Sequence, residues 1–193
     1  MIRIAIFASG SGTNAKRITE YFAEKQGPIT VSAILSNNSA AYVLERAKAL
    51  AVPGISFTRY EFYETGRIPD LLKELSIDYI ILAGFLWLIP DPILNAYPGK
   101  ILNIHPALLP SYGGKGMYGM KVHEAVISNH EKESGISIHL VNQKYDEGKI
   151  LFQAKCSIDP NETPESLASK IHELEYRHFP SVIESYIGMG DEG

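Results

Sequence analysis

The sequence predicts a doubly wound α/β fold, with a mostly parallel sheet covered by helices on both faces. Three observations carry this. Short aliphatic runs alternate with segments of helical periodicity through the N-terminal half, and a glycine-rich turn joins the first run to the first helix. After Pro106 the alternation gives way to two strand-like runs too close together for a crossover helix.

The candidate parallel strands are Ile2 to Ala8, Thr30 to Leu35, Gly54 to Phe57, Asp78 to Ala83 and Lys100 to Ile104, each rich in β-branched or aliphatic residues and bounded by turn formers. Between them, Asn14 to Lys25 places Ala15, Ile18 and Phe22 at helical spacing, and Ala40 to Leu50 does the same with Val43, Leu44, Ala47 and Leu50. Pro69 to Leu75 reads as a helix with proline in its first turn, where a missing N–H costs nothing. Met117 to Asn129 is a further helix. The runs Gly135 to Val141 and Lys149 to Ser157 then form an antiparallel C-terminal strand pair. Thr163 and Pro164 supply the cap and first position of a long C-terminal helix to about Tyr186, which Pro180 is expected to bend or break. The whole is Rossmann-like. It is expected to be one domain over 1–187, with a frayed tail at 188–193.

The 193 residues are 45% hydrophobic and 21% charged, which suits a globular domain with a sizeable core. A net charge of -4 disfavours a general grip on nucleic acid or anionic membrane and points to small-molecule partners. No apolar run approaches membrane-spanning length, and the start of the chain reads as a strand rather than a signal peptide, so a cytoplasmic protein is expected. A single cysteine, Cys156, excludes an intrachain disulfide and a cysteine-based zinc site.

The first chemical motif is Ser9-Gly10-Ser11-Gly12-Thr13-Asn14-Ala15, between the first strand and first helix. Backbone N–H groups and the helix dipole converge there on a point suited to an anion. The spacing also fits a dinucleotide fingerprint, but that fingerprint expects a carboxylate after the second strand, where this chain has Ser36-Asn37-Asn38-Ser39. Gly12, Thr13 and Asn14 therefore favour one terminal phosphate. No Gly-Lys-Ser/Thr follows, so a Walker loop is excluded.

The second motif is Asn103-Ile104-His105-Pro106. Asn103 and His105 lie two positions apart at the end of an apolar strand and so project from one face where the chain leaves the sheet. Asp146, in Tyr145-Asp146-Glu147-Gly148, offers a carboxylate on the turn between the last two strands. An amide and an imidazolium can both donate to a developing oxyanion, and a nearby carboxylate raises the pKa of the histidine. With no obvious nucleophile in the set, direct attack by a bound amine on an acyl group is the reading favoured. His123, His130, His172 and His178 fall on helix faces without H-E-x-x-H spacing, so no metal is expected; His139, on a strand, is a candidate supporting residue.

Taken together, the first loop, Leu82-Ala83-Gly84-Phe85, Asn103 to Pro110 and Tyr145 to Gly148 resemble, in order and over nearly the whole chain, the phosphoribosylglycinamide formyltransferase family of folate-dependent enzymes in purine synthesis. The resemblance implies formyl transfer from 10-formyltetrahydrofolate to the amine of glycinamide ribonucleotide through a tetrahedral intermediate, without metal. It implies that Asn103 and His105 stabilise the oxyanion and that Asp146 holds His105 protonated and helps move the amine proton through water. Gly12, Thr13 and Asn14 match the ribonucleotide loop, and Glu175 matches a substrate-contacting acid. Leu86, Trp87, Leu88 and Ile89 match the folate segment, to which Asn103 also belongs. The family often has arginine where Trp87 stands, and an arginine expected at the folate matches Arg59 only if the chain has gained residues near Gly66. The glycine-rich connector Gly113 to Met120 is longer than the family's usual loop and reads as flexible, with Lys115 within it. Monomer and homodimer are both compatible.

Among related activities, methionyl-tRNA formyltransferase calls for a second domain and a basic surface, and formyltetrahydrofolate hydrolase for an N-terminal regulatory domain. A nicotinamide dehydrogenase is disfavoured by Ser36-Asn37. A non-catalytic nucleotide-binding module leaves Asn103, His105 and Asp146 without a role.

Overall fold

A computed structural model describes residues 1–190. The chain divides into two compact units, Met1–Asn103 and the chain from Ile104 onward. In the first, β1 (Ile2–Phe7), β2 (Ile29–Ser36), β3 (Gly54–Ser56), β4 (Tyr79–Leu82) and the start of β5 (Ile101–His105) are parallel, in the spatial order β3-β2-β1-β4-β5. Ile4, Ile6 and Phe7 on β1, Ile34 and Leu35 on β2 and Ile80 and Ile81 on β4 are all fully buried. Consecutive residues buried on both faces are the mark of a parallel sheet covered on both sides, which is why these strands read as unbroken aliphatic runs.

The covering helices are α1 (Thr13–Lys25), α2 (Tyr42–Ala49), α3 (Arg59–Tyr63), α4 (Arg67–Glu74) and α5 (Asp91–Ala96). The buried faces of α1 (Ala15, Ile18, Phe22) and α2 (Val43, Ala47) follow the predicted periodicity; α4 starts at Arg67, two residues before the expected Pro69, and buries Ile68 and Leu72. Helices α3 and α5, of five and six residues, are additions to the sequence reading. At α3 a signal was present. Thr58 accepts a hydrogen bond from Glu61 N–H at 3.2 Å, and Glu61 Oε2 accepts one from Thr58 N–H at 2.8 Å, a reciprocal cap spelled Thr-x-x-Glu.

The strand order reverses at β1: β2 and β3 lie to one side, β4 and β5 to the other. The switch point between β1 and β4 is where folds of this kind bind ligands.

In the second unit, α6 (Met120–Ser128) precedes β6 (Glu133–Leu140) and β7 (Ile150–Ser157), which pair antiparallel as expected, with Ile136 opposite Ala154 and Ser137 opposite Gln153. Helix α7 (Pro164–Gly190) packs on α6, β6 and β7. Its cap is the predicted one: Thr163 Oγ1 accepts from Ser166 N–H at 3.2 Å, and Ser166 Oγ accepts from Thr163 N–H at 3.0 Å. The helix is not broken at Pro180. Phe179, Pro180, Ile183 and Ile187 are all buried, and that packing offsets the hydrogen bond that proline cannot donate. Helix α7 continues through residues 188–190; the rest of the tail expected at 188–193 lies outside the described residues.

Candidate functional site

In the first unit, the loop after β1 is tied to the loop after β4. Ser9 N–H donates to the Gly84 carbonyl at 3.0 Å, and Ser9 Oγ accepts from Leu86 N–H at 3.0 Å. The expected phosphate loop and the start of the expected folate segment are therefore neighbours. Gly12 caps α1 at φ 72, in the left-handed region, and a Cβ there would lie 2.5 Å from Val43 Cβ and 2.9 Å from Val43 Cα. Glycine is required because α2 sits against the loop. The N-cap position contributes no side-chain hydrogen bond to α1, and Thr13 is half-buried and Asn14 buried in the first turn. Arg46 Nε donates to the Ser11 carbonyl at 2.8 Å and fixes the loop from outside.

The 86–89 segment divides. Leu86 is 44% exposed and Trp87 and Leu88 half-buried, while Ile89 is buried as ordinary core. Trp87 belongs to a cluster of rings with Phe57, Phe62, Tyr63 and Phe85, at centroid separations of 5.8–6.3 Å. Arg59 on α3 lies over Tyr63 at 4.7 Å and over Trp87 at 5.6 Å, and Tyr63 donates from its hydroxyl to the Leu88 carbonyl at 2.9 Å. The structure thus joins Arg59 to Trp87, two residues that the sequence treats separately.

Asn103, half-buried, and His105, 4% exposed, stand two apart on β5 as predicted. His105 Nδ1 lies 3.6 Å from Asp146 Oδ2, so the expected imidazole–carboxylate pair is formed within the second unit. The other ring nitrogen, Nε2, lies 2.7 Å from the Tyr112 carbonyl. A carbonyl only accepts, so Nε2 carries a proton.

Asp146 sits at φ 57, a left-handed position that aspartate tolerates better than most residues. Its Oδ2 accepts from Gly114 N–H at 2.9 Å, and its Oδ1 lies 3.5 Å from His139 Nε2 on β6. Burial works to raise the pKa of Asp146, but the hydrogen bond from His139, the charge of His105 and the Gly114 N–H outweigh it, and the net direction is down. The carboxylate is ionised.

For His105 the balance differs from the sequence expectation. Burial lowers its pKa; Asp146 and the Tyr112 carbonyl work to raise it, and burial wins. Desolvation of the charged ring outweighs the attraction of the carboxylate, because β5 buries the imidazole almost completely.

On β6, Ser137 Oγ donates to the Ala107 carbonyl at 2.7 Å and accepts from Leu109 N–H at 2.9 Å and from Gln153 Nε2 at 2.8 Å. This fully buried serine fastens the segment after Pro106 to β6. On α7, Glu175 is 5% exposed, with His172 Nδ1 at 2.9 Å from its Oε2, a contact that raises the pKa of His172. His123 on α6, read from sequence as an ordinary helix-face residue, is 3% exposed with Nδ1 unpartnered, and burial lowers its pKa.

Sequence reasoning missed Tyr112 and Gly114, because each contributes a backbone group that any residue possesses. His139, read from sequence as a candidate supporting residue on a strand, lies with its Nε2 3.5 Å from Asp146 Oδ1. Among the described residues no group of three or more His, Cys, Asp or Glu could hold a metal ion, and no helix is long and apolar enough to cross a membrane.

A profile of the formyl transferase family matches residues 2–183. The chain belongs to the formyl transferase family. Within it, the chain is 34% identical to phosphoribosylglycinamide formyltransferase of Bacillus subtilis over 197 residues, covering 100% of this chain and 98% of that protein. It is 36% identical to the chloroplastic phosphoribosylglycinamide formyltransferase of Arabidopsis thaliana, with 94% of this chain covered. The chain spans only 64% of the length of that plant relative and 60% of the one from Vigna unguiculata. Among solved structures, phosphoribosylglycinamide formyltransferase from Bacillus halodurans superimposes with a TM-score of 0.85 at 35% identity, covering 95% of this chain and 94% of that one.

Proposed function

We propose that this protein transfers the formyl group of 10-formyltetrahydrofolate to the amine of glycinamide ribonucleotide. The observation that carries the reading is the pairing of buried His105, at the end of β5, with Asp146 on the β6–β7 turn, in a chain whose family match runs through both units. The names of the Bacillus subtilis and Bacillus halodurans relatives support it.

In this reading the ribonucleotide phosphate rests on the N-terminus of α1, held by Gly12, Thr13 and Asn14, and Glu175 meets the substrate elsewhere. Leu86, Trp87 and Leu88 offer apolar surface to the folate, with Arg59 beside them as its cation; Ile89 supports them from the core. The substrate amine attacks the formyl carbon directly, forming the C–N bond and placing negative charge on the formyl oxygen. The Asn103 amide donates to that oxygen, and so does His105.

The geometry favours one form of His105 for this task. Its Nε2–H is engaged by the Tyr112 carbonyl, so only the imidazolium has a second N–H, on Nδ1, to give. The 3.6 Å separation from Asp146 is a charge–charge distance rather than a hydrogen bond, so Nδ1–H is not committed to the carboxylate. Asp146 stabilises the charged ring and takes up the amine proton through water. Collapse of the intermediate then breaks the bond to the folate nitrogen, which leaves with a proton.

Every residue named comes from one chain, whether the protein is a monomer or a homodimer, and we place the reaction in the cytoplasm. The test is the purified protein with 10-formyl folate, followed by absorbance. Deformylated folate should appear only when glycinamide ribonucleotide is present; release of formate with water alone, or no turnover with the amine, overturns the reading.

A further inference from the structure

We infer that Tyr112 is a positioning residue that fixes the ring of His105 in its Nε2–H form, and that it is itself held by Asn129 and Glu131 at the end of α6. The inference rests on the role proposed above for His105. The Tyr112 backbone sits at φ 56, in the left-handed region where a tyrosine is seldom found. That conformation aims its carbonyl at His105 Nε2, 2.7 Å away.

Something must keep an aromatic residue there, and the side chain shows what does. The Tyr112 hydroxyl donates to Glu131 Oε1 at 2.6 Å and accepts from Asn129 Nδ2 at 2.9 Å. Asn129 is the C-cap of α6, with its own N–H on the Ala125 carbonyl at 3.0 Å, so the anchor is rooted in a helix end. Two side-chain hydrogen bonds at one end of Tyr112 thus stabilise a strained backbone whose other product is an acceptor for a buried histidine.

The consequence reaches the chemistry through the tautomer. Without the carbonyl, a buried neutral imidazole facing the Asp146 carboxylate gains most by placing its proton on Nδ1, toward the negative charge. With the carbonyl, the proton sits on Nε2, and Nδ1 acquires a proton only when the ring becomes charged. The groups that face His105 here are Asp146 from the β6–β7 turn, His139 from β6, Glu175 from α7 and His123 from α6. None of these supplies a neutral acceptor at Nε2. The Tyr112 carbonyl does, and it also works to raise the pKa of His105 against burial.

The experiment is nitrogen NMR of histidine-labelled protein, comparing the native chain with Tyr112→Phe, Asn129→Ala and Glu131→Gln. In the native protein His105 should show the Nε2–H tautomer. In Tyr112→Phe it should move toward the Nδ1–H form, with its protonation midpoint at lower pH. In the transfer assay kcat should fall about tenfold with little change in either KM. Asn129→Ala should reproduce part of the change, and Glu131→Gln, which keeps an acceptor, should retain most of the native signal. A tautomer and midpoint unmoved in Tyr112→Phe overturn the inference. So does a change in KM alone. Should Tyr112→Phe fail to fold, Asn129→Ala decides by the same signal, and a native tautomer and midpoint in that variant overturn the inference. Should the native protein lack transferase activity, the nitrogen spectrum still tests the anchor, and the two readings fail separately.

Discussion

Replacing Asp146 by Asn removes the charge beside His105 while leaving an oxygen for the Gly114 N–H. The two side chains are only 5% and 11% exposed, so bulk water screens them poorly. At 3.6 Å and an effective dielectric of about 20, an imidazolium and a carboxylate attract by about 4–5 kcal/mol. Residual exposure and the second partner, His139, reduce what is lost, and opposite charges at such range alter a histidine's charged population about 10- to 1,000-fold. If transfer requires the charged ring, kcat at neutral pH should fall by the same factor. The sign is fixed by the roles: activity is lost as pH rises through the pKa of His105, and without Asp146 that limb moves to lower pH. Rates across the pH range, with histidine NMR alongside, measure both. A rate within about threefold of native, or an alkaline limb that stays in place, would refute the reasoning.

Gly12→Ala should cost about 2–5 kcal/mol, combining a left-handed alanine with overpacking against Val43; urea unfolding checks this, and an unchanged midpoint counts against it. Asn14→Ala should raise the KM for glycinamide ribonucleotide about tenfold with kcat nearly unchanged, and a lost kcat at constant KM would contradict a binding role. His105 and His123 both have pKa values lowered by burial, so the unfolded chain binds more protons just below the ordinary histidine range. His178 is lowered by burial as well, and only His172, raised by Glu175, works the other way, so stability should on balance fall as pH drops from 7 to 5. His123→Leu, which removes the unpartnered buried Nδ1, should stay within about 1 kcal/mol of native at pH 7 and lose less on acidification. Denaturant midpoints at the two pH values decide it.

The sheet and its main helices were legible because burial on both faces writes itself as unbroken aliphatic runs, and burial on one face as a period near four. Short helices were not: α3 carries a capping box in Thr58 and Glu61, but five residues are too few for a period to show. Asn103, His105 and Asp146 were legible as a candidate proton-handling set by type and spacing, and Gly12 as part of a glycine-rich turn. That Gly12 itself demands glycine was not, since Val43 approaches it from another helix.

By itself, then, the sequence determined the strands and the longer helices and offered candidate side chains for proton transfer, because both are local properties of residue type and period. Tertiary structure alone decided the state of those side chains. The sign of the shift at His105 is a contest between burial and a carboxylate 41 positions away, and its tautomer is chosen by a backbone carbonyl with no signature in the chain. Desolvation and backbone hydrogen bonding depend on what packs around an atom, and packing is settled only when distant segments meet.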